Sequence, residues 1–127
     1  IIHLEASKNP KNELSYISNN NVCAGIAINP DTDEKRLYPL IEHLDYILIM
    51  SVFPGRGGQE FILSTLDKIE NIVKIRESRD ITIGVDGGVN LETISKVYET
   101  GIDVAIVGSG LFESENISQR YKDLLDA

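Results

Sequence analysis

Apolar and polar positions fall in repeating blocks along this chain, each shaped like a strand followed by a helix. Ile1 to Glu5 is a short apolar strand candidate. Asn9 suits a helix N-cap with Pro10 at the first helical position. Leu14 and Ile17 then give an amphipathic face that stops at Asn19-Asn20-Asn21. Val22 to Ile28 is nearly continuous in apolar residues, as expected of a strand covered on both faces. Asn29-Pro30 ends it, and Asp31 or Thr32 is placed to cap a helix with Leu37, Leu40, Ile41 and Leu44 on one side. Tyr46 to Val52 is a third apolar run, broken at Pro54 and followed by Gly55-Arg56-Gly57-Gly58. A longer helix is predicted from about Glu60 to Glu77, with Ile62, Leu66, Ile69, Ile72 and Val73 at helical period and Glu70–Lys74 as an i,i+4 pair. Ile81 to Val85 is the fourth strand, closed by Asp86-Gly87-Gly88. Asn90 is predicted to cap a helix with Ile94, Val97 and Tyr98 inward and Gly101 as its stop. Asp103 to Val107 is the fifth strand, closed by Gly108-Ser109-Gly110. Ser114 is predicted to cap the last helix, with Ile117, Tyr121 and Leu124 inward.

The pattern is therefore α/β, five βα units of roughly 25 residues each, which implies a parallel sheet with right-handed crossovers. Two architectures accept such units, an open doubly wound sheet and a TIM-type (β/α)8 barrel. No G-x-G-x-x-G follows the first strand, and the glycine clusters come after the third, fourth and fifth strands. In a barrel the phosphate site lies near the loops after the last two strands. That places these units as the last five of eight, with about three units, on the order of 75 residues, expected ahead of them. The chain opens at Ile1 inside a strand, so residues 1–127 are expected to be a partial TIM-barrel domain lacking its first three βα units. Unpaired sheet edges would then favour association.

Composition narrows the partners more than the fold. With 127 residues, 42% hydrophobic and 25% charged, the chain is ordinary for one globular domain. A formal net charge of −8 argues against nonspecific binding to nucleic acid or anionic membrane, while leaving room for an anion held by backbone N–H groups. The lone Cys23 excludes an intrachain disulfide and is compatible with a reducing, cytoplasmic setting. No apolar run approaches the ~20 residues of a membrane span.

The chemistry concentrates at strand ends. Glycine backbone lets N–H groups approach a phosphate closely. One such cluster is a turn more often than a site; three at consecutive strand ends point to phosphate. Asp86 reads either as a proton-transfer group or metal ligand or as a turn aspartate bonding its own backbone. Its place after an apolar strand favours function. His3 and Glu5 share one face of the first strand and read first as a hydrogen-bonded polar layer. His43 reads as a solvated helix residue and Cys23 as a small core residue. Met50 is core or an apolar lid over a substrate. Arg56 meets a phosphate or points to solvent.

Taken together, LIMSVFPGRGGQEFI, VDGGVN and VGSGLF, preceded by HLEAS and AGIAINPDT, resemble the ribulose-phosphate 3-epimerase family in order and spacing, from Ile1 nearly to the C-terminus. The resemblance implies a ribulose-phosphate-binding TIM barrel, cytoplasmic and homo-oligomeric when intact. The enzyme it implies is an isomerase of the pentose phosphate pathway that interconverts D-ribulose 5-phosphate and D-xylulose 5-phosphate. It further implies two aspartates, one on each side of C3, and a divalent metal (Zn, Fe, Mn or Co) held by those aspartates and two histidines. By the same resemblance Asp86 is the second aspartate, both catalytic and metal-binding. Gly55, Arg56, Gly57, Gly58, Gly87, Gly88, Gly108 and Ser109 contact the substrate phosphate, and Met50 lines the site.

The other metal ligands, the first aspartate and an early substrate-binding serine belong to units absent here, so the chain alone is expected to be inactive. His3 matches a histidine that is not a ligand. Arg56 stands where an apolar residue is usual, Gly84 where a glutamate is common and Gly110 where alanine is usual. Two alternatives stay open: a non-catalytic phosphate-binding half-barrel, and an epimerase of a related sugar such as allulose 6-phosphate.

Overall fold

The computed structural model describes residues 1–76 and 78–127. Its strands are β1 (Ile2–His3), β2 (Gly25–Ile28), β3 (Tyr46–Met50), β4 (Thr82–Asp86) and β5 (Val104–Ile106). Its helices are α1 (Pro10–Asn19), α2 (Thr65–Arg76), α3 (Ile94–Glu99), α4 (Ser109–Phe112) and α5 (Ile117–Asp126), with a 3₁₀ segment over Glu34–His43. The strands lie in the order β1-β2-β3-β4-β5, and all four pairings are parallel. A doubly wound sheet reverses its strand order at a switch point. Here every strand pairs with the next one in sequence, the singly wound order of a TIM-type barrel wall.

Strand parity separates the two faces. Ile26, Ile28, Ile47, Ile49, Ile83 and Val85 point outward under the helices and are completely buried with Leu14, Leu37, Ile69, Ile72 and Val97. Each such side chain contributes roughly 1.5–3 kcal/mol relative to exposure, so this outer layer is the core. The opposite parity carries Tyr46, Leu48 and Met50 on β3 and Thr82, Gly84 and Asp86 on β4, then Val104 and Ile106 on β5. Val104 and Ile106 are 37% and 40% exposed.

Several local expectations change. Cys23 is exposed rather than core. Pairing begins only at Gly25↔Tyr46, because Asp45 caps the entry: its Oδ2 accepts from the Ala24 amide at 2.7 Å. The second predicted helix is 3₁₀, since Pro39 lies inside it and cannot donate the backbone bond an α-helix needs. Its cap is Asp33, whose Oδ1 accepts from the Lys35 amide at 2.9 Å, not Asp31 or Thr32.

Helix α2 starts at Thr65 instead of Glu60, because the segment before it is tied down, with Phe61 buried and the Ile62 amide donating to Ser51 O at 2.9 Å. Glu77, expected as its last residue, lies outside the described residues. Asn90 opens a turn, accepting from the Glu92 amide at 2.8 Å, and α3 follows from Ile94. The cap of α5 is Asn116, not Ser114. Tyr98, Ile117 and Tyr121, expected inward, are 49%, 46% and 54% exposed. Tyr98 and Tyr121 line an apolar groove beside β5, the last strand of the sheet. Asn9 with Pro10, Gly101 at φ +87 and the Glu70–Lys74 pair stand as expected.

One cross-layer contact fixes the loop after β2. The Lys68 ammonium on α2 donates to the carbonyls of Asn29 (3.1 Å), Pro30 and Thr32. Lys68→Met is expected to strand these acceptors and to lower unfolding free energy by about 1–3 kcal/mol. A lower urea midpoint at unchanged m would show it.

Candidate functional site

The three glycine clusters meet at the C-terminal ends of β3, β4 and β5. Between them lies a cavity of about 420 Å³, a size suited to a small ligand. Met50, Gly55, Arg56, Gly57, Gly58, Asp86, Gly87, Gly88, Gly108 and Ser109 all line it. Met50 pairs with Asp86, and Asp86 with Ile106, so these three side chains form one row at the mouth. Met50 is both core and wall, at 8% exposure. Among the described residues Asp86 is the one carboxylate on the wall and Arg56 the one cation. Arg56 is exposed and has no carboxylate partner among the described residues.

The glycines divide into two kinds. At Gly55, Gly57, Gly58 and Gly108 an added Cβ would meet nothing within 4 Å, so these backbones face open cavity. At Gly87 and Gly88 it would collide: with Val52 Cγ2 at 2.5 Å in the first case, and with Gln59 O at 2.8 Å and Phe61 N in the second. Gly110 packs in the same way on Val89 O and Asn90. The second kind therefore holds one loop against the next, while the first presents bare backbone. Among the described residues, the amides of Gly57, Gly58 and Gly88 donate to no backbone carbonyl. Free amides beside residues at positive φ (Gly55 at +136°, Gly58 at +68°, Gly88 at +65°) form the kind of backbone concavity that suits an anion.

Residues outside the predicted set complete the structure. The Gln59 amide donates to Phe53 O at 2.8 Å and to Arg56 O at 2.9 Å, which closes the glycine loop from within. Ser51 is fully buried beneath the turn after Asp86. Val52, Val89 and Ile106 add apolar wall. Ile106 was within reach of the sequence, since it shares the parity of Met50 and Asp86. The roles of Ser51 and Gln59 depend on hydrogen bonds between segments, which hydrophobic periodicity does not encode. The space over Gly84 is filled by the Tyr46 hydroxyl, which a Cβ at position 84 would overlap. Burial, then Asp103 and Asp86, push the Tyr46 phenol above its ordinary value, so it is neutral at physiological pH.

His3 and Glu5 lie on β1 and in the turn after it, away from this cavity. Glu5 accepts from the Asn29 amide at 2.8 Å and from the Thr32 hydroxyl, and His3 Nδ1 is 4.0 Å from its other oxygen. They form the polar layer read from the pattern. Burial alone would raise the Glu5 carboxyl, but bonds from Thr32, Asn29 and its own backbone amide, with the His3 charge, outweigh it and hold the carboxyl below its ordinary value. A lowered folded value means that the contribution is present above the unfolded value and is lost as pH falls through the folded one. Glu5→Gln is therefore expected to flatten the stability curve below about pH 4.5, the ordinary value. Thermal midpoints of the two proteins across pH 3–6 would show it, with convergence at the acid end.

Among the described residues no group of three His, Cys, Asp or Glu side chains is placed to hold a metal. Asp86 has no second such ligand on the cavity wall. The described donor set does not fit a metal by itself. No described helix is long and apolar enough to cross a membrane.

Comparison with known proteins agrees with the geometry. The ribulose-phosphate 3 epimerase family matches residues 1–112. Ribulose-phosphate 3-epimerase of Buchnera aphidicola is 41% identical over 116 residues, 90% of this chain and 51% of that protein. The Escherichia coli K12 enzyme is 40% identical over 126 residues, 98% of this chain and 54% of its own length. That of Helicobacter pylori J99 is 37% identical over 118 residues, 91% and 54% respectively. Among solved structures, thiamine phosphate pyrophosphorylase from Pyrococcus furiosus aligns over 98% of this chain and 79% of its own, at 17% identity and a TM-score of 0.48. The chain spans about half the length of the curated relatives it matches. With its family match over 112 of 127 residues, the chain belongs to the ribulose-phosphate 3-epimerase family.

Proposed function

We propose that this chain carries the phosphate-gripping part and one proton-transfer group of an epimerase that interconverts D-ribulose 5-phosphate and D-xylulose 5-phosphate. The observation that carries the reading is the convergence of three glycine strand ends and a single carboxylate, Asp86, on one cavity. Backbone amides of Gly57, Gly58 and Gly88, with Arg56 beside them, bind the substrate phosphate. That remote grip supplies binding energy for orienting the reacting carbon. Asp86 then takes or returns the proton on the carbon next to the carbonyl, and Met50 and Ile106 in its row keep that side of the ligand out of water.

Inversion at that carbon needs a second acid/base group on the opposite face. Among the described residues the cavity wall holds no second carboxylate, and the chain has only two histidines, His3 and His43, neither on the wall. The same observation favours a second reading, a phosphate-binding half-barrel without turnover. Titration of inorganic phosphate and of D-ribulose 5-phosphate tests the shared part. Amide resonances of Gly57, Gly58, Gly88 and Ser109 are expected to move with both ligands. Shifts confined to other surfaces would sink both readings. Formation of D-xylulose 5-phosphate would separate the first from the second.

A further inference from the structure

Ser51 joins three segments through three different groups. Its carbonyl accepts from the Ile62 amide at 2.9 Å, which closes the glycine loop of residues 52–61 at its base. Its amide donates to Asp86 O at 2.8 Å. Its hydroxyl lies 2.6 Å from Gly87 O and 3.0 Å from Asp86 O. A hydroxyl has one proton to give. Asp86 O already takes the Ser51 amide and Gly87 O is nearer, so the hydroxyl donates to Gly87 O. The two peptides that follow Asp86 are thus both held by one residue of β3's exit, at 0% exposure. Gly87 between them is at φ +118, a conformation that needs such support. On its other side Asp86 pairs with Ile106 of β5.

We propose that Ser51 is a positioning residue, which sets the Asp86 carboxylate relative to the phosphate loop so that a ligand gripped by the loop meets Asp86 in one orientation. The proposal rests on the reading of this cavity as a sugar-phosphate site. Both ends of the gripping loop and the turn that aims Asp86 share Ser51 as their anchor. Loss of its hydroxyl frees the aim of the carboxylate while the cavity-facing glycines keep their backbone.

The test is a double-mutant cycle in binding, with inorganic phosphate and D-ribulose 5-phosphate titrated into the 127-residue chain. Ser51→Ala is expected to keep inorganic phosphate affinity within about twofold. With Ser51 present, Asp86→Asn is expected to weaken D-ribulose 5-phosphate by about tenfold, the scale of one charge-assisted hydrogen bond. In the Ser51→Ala background the same change is expected to cost less than about twofold. Ser51→Cys keeps the size and a weak donor, so its coupling should be intermediate; if Ser51→Ala does not fold, Ser51→Cys carries the cycle. An equal Asp86→Asn effect in both backgrounds, or equal loss of both ligands on Ser51→Ala, overturns the positioning role. Failure of the unsubstituted chain to bind inorganic phosphate overturns the site reading itself, and this proposal with it.

Discussion

The 127-residue chain, given D-ribulose 5-phosphate and a divalent metal, is expected to form no D-xylulose 5-phosphate above background. On the proposed reading Asp86 meets the reacting carbon from one side of the cavity, and among the described residues it is the one carboxylate on the wall. A group that removes a proton from one face returns it to that face, which restores the starting sugar. Inversion needs delivery from the opposite face. Loss of one positioned acid/base group typically costs ~10²–10⁴-fold. A coupled assay for xylulose 5-phosphate reads the result directly. Metal-dependent turnover by this chain alone, at a rate within tenfold of a full-length relative's, would overturn the assignment of roles.

The second large effect separates the two kinds of glycine. Gly88→Ala is expected to cost roughly 2–5 kcal/mol of folding stability. Left-handed backbone at φ +65 accounts for about 1–2 kcal/mol of this. Overlap of the new methyl with Phe61 N, Gln59 O and Glu60 C adds about 1–3 kcal/mol. Those neighbours are backbone, so no rotamer change relieves the overlap. Against a total of ~5–15 kcal/mol this is severe.

Gly57→Ala should behave in the opposite way. Its Cβ meets nothing within 4 Å, and its φ is not in the left-handed region. Folding stability should stay within about 0.5 kcal/mol, while the methyl projects into the cavity and weakens inorganic phosphate by about tenfold or more. Urea midpoints and phosphate titrations on both variants check the pair. Equal destabilisation would mean that the loop glycines all serve packing.

What the residue pattern revealed, and what it hid, follows from what each kind of interaction writes into sequence. The outer strand faces were legible because Ile26, Ile47, Ile83 and their neighbours must all be apolar to lie under helices. The site row was legible because glycine clusters mark strand ends. Helix starts were not. Asp33, Asn116 and the stretch before Thr65 displaced the predicted starts by between one and several residues. Asp33 and Asn116 prevailed through local caps on the Lys35 and Gln119 amides, and the start of α2 was decided by a contact to another segment, Ile62 with Ser51. Cys23 and Tyr121 misled for a related reason: an apolar residue does not say whether a neighbour is there to cover it. Ser51 was invisible as an anchor, since a serine in an apolar run looks the same with or without two carbonyls above it.

The overlap between Tyr46 and position 84 also constrains how this sequence can diverge. With the phenol in place, a side chain at position 84 must displace the end of the Tyr46 ring. Shrinking Tyr46 first opens the position; changing Gly84 first requires the ring to swing aside. The order of the two changes decides whether the fold has to move to accept them.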